Sequence, residues 1–393
     1  MIPEGWRSVP LAEIAKSKIV YGIVQAGPHD PSGVPYLKSS DIGGEIDCSS
    51  LQRTAPEIHH RFGRSTVVPG DIVISLRGNI GDTSIVPDEL AEANLTQGTA
   101  RISVVEDFDR DFVFFQLASF DVQRRIHSVT KGSTFVEITL EDLRKIEVPV
   151  PQCRRQQRYI ADLLLDWNRA IETVEALIAN ARAQKQALMQ QLLPQGTTPP
   201  KKRLPGFSGE WREAKLGSLA DISKGEQKGR ASLADAGPVP VINGGITPSG
   251  YTDHPNTAAD TITISEGGNS CGHVDLIAQP FWCGGHCYAL KNLKVDRDYL
   301  FAVLKHRQPE IMSLRVGSGL PNIQKKALSQ FSIPVPPKPE QVRIGDLAAA
   351  ADKEIVANEA QLSGLHQEKA ALMQQLLTGK RRVKLPESDV THA

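Results

Sequence analysis

The sequence predicts an α+β chain: two globular heads of mixed α/β structure joined by two long antiparallel coiled-coil helices, the whole an internal pseudo-two-fold repeat. Two observations carry this reading. Stretches of the first half return in the second at nearly constant offsets, and a long apolar row with a period of 3.5 residues follows each head. The expected segments are a first head at 1–151, a helix at 152–196, a linker at 197–208, a second head at 209–336, a second helix at 337–382 and a flexible tail at 383–393.

The heads are defined by the repeat. The run from Gly132-Ser133-Thr134-Phe135 to Val148-Pro149-Val150-Pro151 returns as Gly317-Ser318-Gly319-Leu320 to Ile333-Pro334-Val335-Pro336, 185 residues later. Trp6-Arg7 matches Trp211-Arg212 at an offset of 205, so the first head carries about twenty extra interior residues. Within each head a β-branched run ends in a glycine turn, Ile72-Val73-Ile74-Ser75 before Gly78-Asn79 and Thr261-Ile262-Thr263-Ile264-Ser265 before Gly267-Gly268-Asn269, which reads as a strand entering a tight loop. The remaining head sequence diverges. A repeated scaffold with different loops suits two heads that touch different things.

The helices follow. Ala187-Leu188-Met189-Gln190-Gln191-Leu192-Leu193 recurs unchanged at 371–377, an offset of 184. Upstream the apolar row alternates by four and three through Ile160, Leu164, Trp167, Ile171, Val174, Ile178, Ala181, Lys185, Leu188 and Leu192. Its counterpart is Ile344, Ala348, Ala351, Ile355, Asn358, Leu362, Leu365, Lys369, Leu372 and Leu376. Asn358 and the paired lysines are its polar members, and an asparagine in such a seam can fix register. A helix of about forty residues is on the order of 60 Å long, so it projects as a rod. A compact second head returns the chain near its entry, so the second helix runs back along the first. Pro194, Pro199, Pro200 and Lys201-Lys202-Arg203 form the exposed joint.

Composition bounds the function. Hydrophobic residues are 40% and charged residues 23% of 393, the composition of a globular chain, and Lys+Arg and Asp+Glu balance at 45 each. Zero net charge removes the simplest argument for nucleic-acid binding, so any DNA affinity must come from local clusters or a partner. Five scattered cysteines, an N-terminus without an apolar leader and no long apolar run point to the cytoplasm and away from a membrane.

No catalytic signature survives inspection. Thr378-Gly379-Lys380-Arg381 lacks the upstream glycine and the hydroxyl of a phosphate-binding loop and reads as a helix C-cap with a basic tail. Thr198-Pro199-Pro200-Lys201 lacks the amide and aromatic that amino-methyltransferases place around two prolines. Cys271, His273, Cys283, His286 and Cys287 are residue types that suit zinc, but without the usual Cys-x-x-Cys spacing, and they read as buried small residues and surface histidines with no metal.

The combination of Pro-Val-Pro, a Gln-containing helix start and the Ala-Leu-Met-Gln-Gln-Leu-Leu run, each present twice around divergent heads, with the second run continuing from Ala371-Leu372-Met373-Gln374-Gln375-Leu376-Leu377 into Thr378-Gly379-Lys380-Arg381-Arg382, closely resembles the specificity subunit of Type I restriction-modification enzymes. The resemblance spans nearly the whole chain. It implies that each head is a target recognition domain for one half of a bipartite, asymmetric double-stranded DNA site, with the helices measuring the gap. It also implies no catalysis and no cofactor on this chain. Two methylation subunits would bring S-adenosylmethionine, and restriction/translocation subunits ATP and Mg2+. The pseudo-two-fold chain would offer them paired docking surfaces.

Under that reading Arg77 and Asn79 in the first head, and Glu266 and Asn269 at similar places in the second, are candidates for base contact. Arginine suits guanine, asparagine adenine, and glutamate can accept from cytosine. Arg124, Arg125, Lys131, Ser133 and Thr134, with Arg315, Ser318, Asn322, Lys325 and Lys326, are candidates for phosphate contact. The same residues would also allow a coiled-coil scaffold whose heads hold peptides or proteins, which the balanced charge favours.

Overall fold

The computed structural model of the chain describes residues 3–132, 136–194, 200, 202–317, 319 and 321–383. It divides into two compact units, Met1–Thr173 with Leu362–Ala393, and Val174–Gln361. The division cuts through both long helices, so each unit combines one head with part of each helix.

In unit 1 the chain runs through β1 (Trp6–Pro10), α1 (Leu11–Ile14), β2 (Val34–Leu37), β3 (Arg53–Thr54), α2 (Pro56–Arg61), β4 (Ile72–Ser75), β5 (Thr83–Ile85), β6 (Asn94–Leu95) and β7 (Thr99–Ile102). Then come α3 (Arg110–Leu117), α4 (Phe120–Ser128), α5 (Leu140–Arg144), β8 (Glu147–Pro151) and the first long helix, α6 (Arg154–Leu192). Strand β1 pairs antiparallel with β8 from Trp6 opposite Pro151 to Pro10 opposite Glu147, closing the base of the head. The Pro-Val-Pro run tolerates two prolines because this sheet has only two strands, both edges, while Val148 and Val150 point into the core. Strand β4 lies between β5 and β7, and β2 between β3 and β6. Every residue of β4 is buried, which accounts for its continuous β-branched composition.

Unit 2 repeats the plan with β9 (Arg212–Lys215), α7 (Leu216–Leu219), β10 (Asp221–Lys224), β11 (Val239–Ile242), β12 (Tyr251–Thr252), β13 (Thr261–Ser265), β14 (Val274–Ile277), β15 (Trp282–Cys283) and β16 (Cys287–Lys291). It continues through α8 (Arg297–His306), α9 (Gln308–Ser313), α10 (Lys325–Ser329), β17 (Ser332–Val335) and the second long helix, α11 (Lys338–Leu376). Strand β17 pairs with β9 as β8 does with β1. Strand β13 is flanked by β14 and β16 as β4 is by β5 and β7. The parallel pair β11–β15 matches β2–β6. The heads therefore share this core strand order where their sequences have diverged, and in unit 2 β10 adds a fourth strand beside β16.

The same junction joins helix to head in both units. At the start of α6 the buried Gln157 accepts from the Asp109 backbone N–H at 2.8 Å and donates to the Pro151 carbonyl at 2.9 Å. At the start of α11, Gln341 accepts from the Asp296 N–H at 2.8 Å and donates to the Pro336 carbonyl at 2.8 Å. Asp109 and Asp296 are also the N-caps of α3 and α8. Their side chains accept from Phe112 N–H and from Asp298 and Tyr299 N–H, satisfying donors the first turn leaves open.

Along the helices, Ile160, Leu164, Ile171, Val174, Ile178, Ala181 and Leu192 are buried, while Trp167, Lys185 and Leu188 are half-buried. On α11, Ile344, Ala348 and Leu376 are buried, and Ala351, Ile355, Asn358, Leu362, Leu365, Lys369 and Leu372 are half-buried. Within unit 2 the helices run antiparallel. Arg182 pairs with Glu359 at 2.6 Å, and the later Lys185 pairs with the earlier Asp352. Gly379 ends α11 with φ +66°, its N–H donating to the Leu376 carbonyl, so the Thr-Gly-Lys-Arg run is a glycine C-cap.

Candidate nucleic-acid interface

At one end of each central strand several loops converge, held by equivalent backbone hydrogen bonds. In unit 1 Leu76 N–H donates to the Gly98 carbonyl at 2.7 Å and Ile138 N–H to the Leu76 carbonyl at 3.1 Å. In unit 2 Glu266 N–H donates to the His286 carbonyl at 2.9 Å and Ile323 N–H to the Glu266 carbonyl at 2.8 Å. Bridges Arg77–Glu137 and Lys131–Glu137 recur as Gly267–Asn322 and Val316–Asn322. The ladder thus aligns Leu76 with Glu266 and Arg77 with Gly267, one residue away from the sequence-based match of Arg77 to Glu266.

The base-contact candidates differ in availability. Arg77 is half-exposed with Nε 2.5 Å from Glu137 Oε2, and Asn79 and Asn269 are exposed on their turns. Glu266 is the least accessible of the four. Its side chain is only 14% exposed, Lys224 Nζ lies 2.6 Å from Oε1, and Tyr288 Oη donates to the same oxygen at 3.0 Å. Tyr288 Oη also lies 3.0 Å from the Ile323 carbonyl. Its Oε1 therefore ties β10 to β16 through a charge-assisted pair, which fixes the orientation of the carboxylate.

The cations separate likewise. Lys131 lies in the unit 1 loop cluster, 2.7 Å from Asp142, and this hydrogen bond holds the Asp142 carboxyl below its ordinary range. Arg125 lies at the base of the head, its guanidinium bound to the Glu147 carbonyl on β8. Arg124 is exposed beside Asp121 and over the Phe120 ring. In unit 2 Arg315, Asn322, Lys325 and Lys326 are exposed, and among the described residues neither lysine side chain has an ion-pair partner. Ser133, Thr134 and Ser318 lie outside the described residues.

The cysteine–histidine group is dispersed. Cys271 sits in one core cluster with its thiol donating to the Glu266 carbonyl, Cys283 and Cys287 in another, and His286 is exposed. Among the described residues no group of three His, Cys, Asp or Glu is arranged to hold a metal.

Three features were missed in the sequence. The run Asp109-Arg110-Asp111-Phe112 returns as Asp296-Arg297-Asp298-Tyr299, 187 residues later, and would have located the capped helices. The glutamine clamps were visible only as part of a motif. The position shared by Gly98 and His286 lies in divergent sequence that only the strand register aligns.

Comparison with known proteins agrees with this architecture. The family described as "Type I restriction modification DNA specificity domain" matches twice, over residues 3–181 and 208–364. The chain is 27% identical to the Type I restriction enzyme EcoBI specificity subunit of Escherichia coli over 237 residues, 59% of this chain and 48% of that one. It is 22% identical to the Type I restriction enzyme MjaVIII specificity subunit of Methanocaldococcus jannaschii over 414 residues, 98% of this chain and 94% of that one. Its fold is similar to the crystal structure of a Type I restriction-modification S subunit from M. genitalium, with a TM-score of 0.67, 20% identity and 97% coverage of each chain. With both halves of the chain matched, it belongs to the Type I restriction-modification DNA specificity family, a recognition subunit rather than a catalyst.

Proposed function

We propose that the two heads read the two halves of a bipartite, asymmetric site in double-stranded DNA, and that the chain directs partner methylation and endonuclease/translocase subunits to that site. The observation that carries this reading is one scaffold built twice with unlike loop tips. The same strand register ends in Arg77-Gly78-Asn79 in one unit and Gly267-Gly268-Asn269 in the other. Equal scaffolds supply equal footing on a duplex, and unlike tips supply different base preferences.

In this reading Arg77, Asn79 and Asn269 address base edges, and Lys131, Arg315, Lys325 and Lys326 address phosphates. Glu266 holds the unit 2 loops in place. The helices set the spacing of the half-sites, and the repeated junctions offer two similar docking surfaces to two methylation subunits. Those partners carry S-adenosylmethionine, and the translocase subunits ATP and Mg2+, with the assembly in the cytoplasm. No helix among the described residues is long and apolar enough to cross a membrane.

The test is selection from a randomised duplex library by the chain assembled with its methylation subunit. Enrichment of a two-part sequence with a fixed gap is expected. Recovery of unselected sequence would overturn the proposal.

A further inference from the structure

Resting on that reading of DNA recognition, we infer that His286 reads a base edge in the major groove for the unit 2 half-site. The residue stands at the tip of Gly284-Gly285-His286, between β15 and β16. The backbone of this tip has almost no freedom. Asn243 Oδ1 accepts from the His286 N–H at 3.1 Å, the His286 carbonyl accepts from Glu266 N–H at 2.9 Å, and Gly284 N–H donates to the Ile242 carbonyl at 2.8 Å. Close approach requires the glycine at Gly284, where a Cβ would lie 2.4 Å from Asn243 Oδ1 and 2.8 Å from Asn243 Cβ, and Gly285 packs tightly beside Gln227. Loops after β10 and β11 therefore lock the tip from beneath.

The side chain has the opposite character. It is 62% exposed, and its closest acidic group, Glu266 Oε2, is 3.9 Å from Nδ1, too far for a hydrogen bond. Glu266 is itself fixed by Lys224 and Tyr288. An imidazole on a fixed backbone, with open hydrogen-bonding capacity, loses little freedom when it meets a base, and such preorganisation favours discrimination.

The equivalent position in unit 1 is Gly98, whose carbonyl accepts from Leu76 N–H as that of His286 accepts from Glu266 N–H. There the space a Cβ would take is filled, with Ser39 Oγ 2.9 Å away. One scaffold position thus carries a ring in one head and no side chain in the other, which is expected where two heads read different sequences. A ring N–H of His286 is suited to donate to N7 of a purine.

The experiment uses the full chain assembled with its methylation subunit and the duplex selected by the wild type. His286→Ala should reduce the preference at one base pair of one half-site by about tenfold and leave the other half-site unchanged, with an unaltered melting temperature. His286→Gln, which keeps a donor and an acceptor, should retain a preference at that pair. A 7-deazapurine at that position should weaken wild-type binding and leave His286→Ala unaffected. An equal loss on all sequences would make His286 a phosphate contact, and an unchanged preference would remove it from recognition; either overturns the inference. If the wild type selects no bipartite sequence at all, it is the DNA-reading proposal that fails.

Discussion

The two glutamines at the helix starts carry more than their exposure suggests. Each side-chain amide joins the first turn of a long helix to an N-cap aspartate and to the last strand of its head, and both are buried, Gln157 at 1% and Gln341 at 4%. Removing such an amide leaves a buried N–H and a buried carbonyl without partners, which costs about 1–3 kcal/mol. Gln341→Ala and Gln157→Ala should each lower stability by that amount in chemical denaturation; no shift in the midpoint would show that water replaces the clamp. The glycines of α11 provide a contrast. A Cβ on Gly345 would lie 2.8 Å from Tyr299 N and 2.9 Å from Asp296 Oδ1, whereas Gly364 has nothing within 4 Å. Gly345→Ala should therefore destabilise by pushing α8 from the helix. Gly364→Ala should stabilise by about 0.5–1 kcal/mol, the helical advantage of alanine over glycine. A common sign for both in thermal melts would contradict this account.

At the scale of the elements, the helical seam holds one asymmetry. Lys185 and Lys369 occupy equivalent positions 184 residues apart, but Lys185 has Asp352 as its partner, and the residue equivalent to Asp352 beside Lys369 is Asn168. Asn168, Lys369, Phe114, Phe115 and Met373 line one cleft of unit 1. Burial lowers the Lys369 pKa from its ordinary value, with Glu172 opposing the shift. The unfolded chain then holds this proton to a higher pH than the folded chain, so Lys369 makes stability rise with pH in the window just below the ordinary lysine value. Asn168→Asp should raise the Lys369 pKa and flatten that rise, adding up to about 1 kcal/mol near neutral pH. Lys305, also lowered by burial, contributes equally to both proteins and cancels in the comparison. Parallel pH–stability curves for the two would show that Asn168 does not meet the ammonium. These helices were legible in the sequence because a 3.5-residue period reports directly which face is covered. The head bases were legible for a related reason: their Pro-Val-Pro strands and N-terminal tryptophans are constrained by packing and so were copied closely. The tips were not legible. Glu266 resembled a base reader in one dimension, and only the register of β13 with β16 showed it committed to Lys224 and Tyr288, one position away from the residue it had been matched with.

For the molecule as a whole, the duplicated scaffold makes a demand that a single DNA-binding domain would not. If each head reads its own half-site, substitutions at tips in different units should act independently, since groups without shared partners contribute additively to binding. Arg77→Ala should relax the preference in one half of the selected site and Asn269→Ala in the other. Each should cost about 1–3 kcal/mol on the preferred sequence and little on duplexes already altered at the matching position. The double variant should show the sum. Lys325→Ala provides the contrast, because a lost phosphate contact weakens every sequence alike and makes the dependence of log affinity on log salt shallower by about one. These outcomes are measured together by titrating the assembled complex against the selected duplex and its half-site variants at several salt concentrations. Arg77→Ala changing the preference in both halves would mean that the heads read one shared element, and the internal repeat would then be a device for assembly rather than for a two-part site.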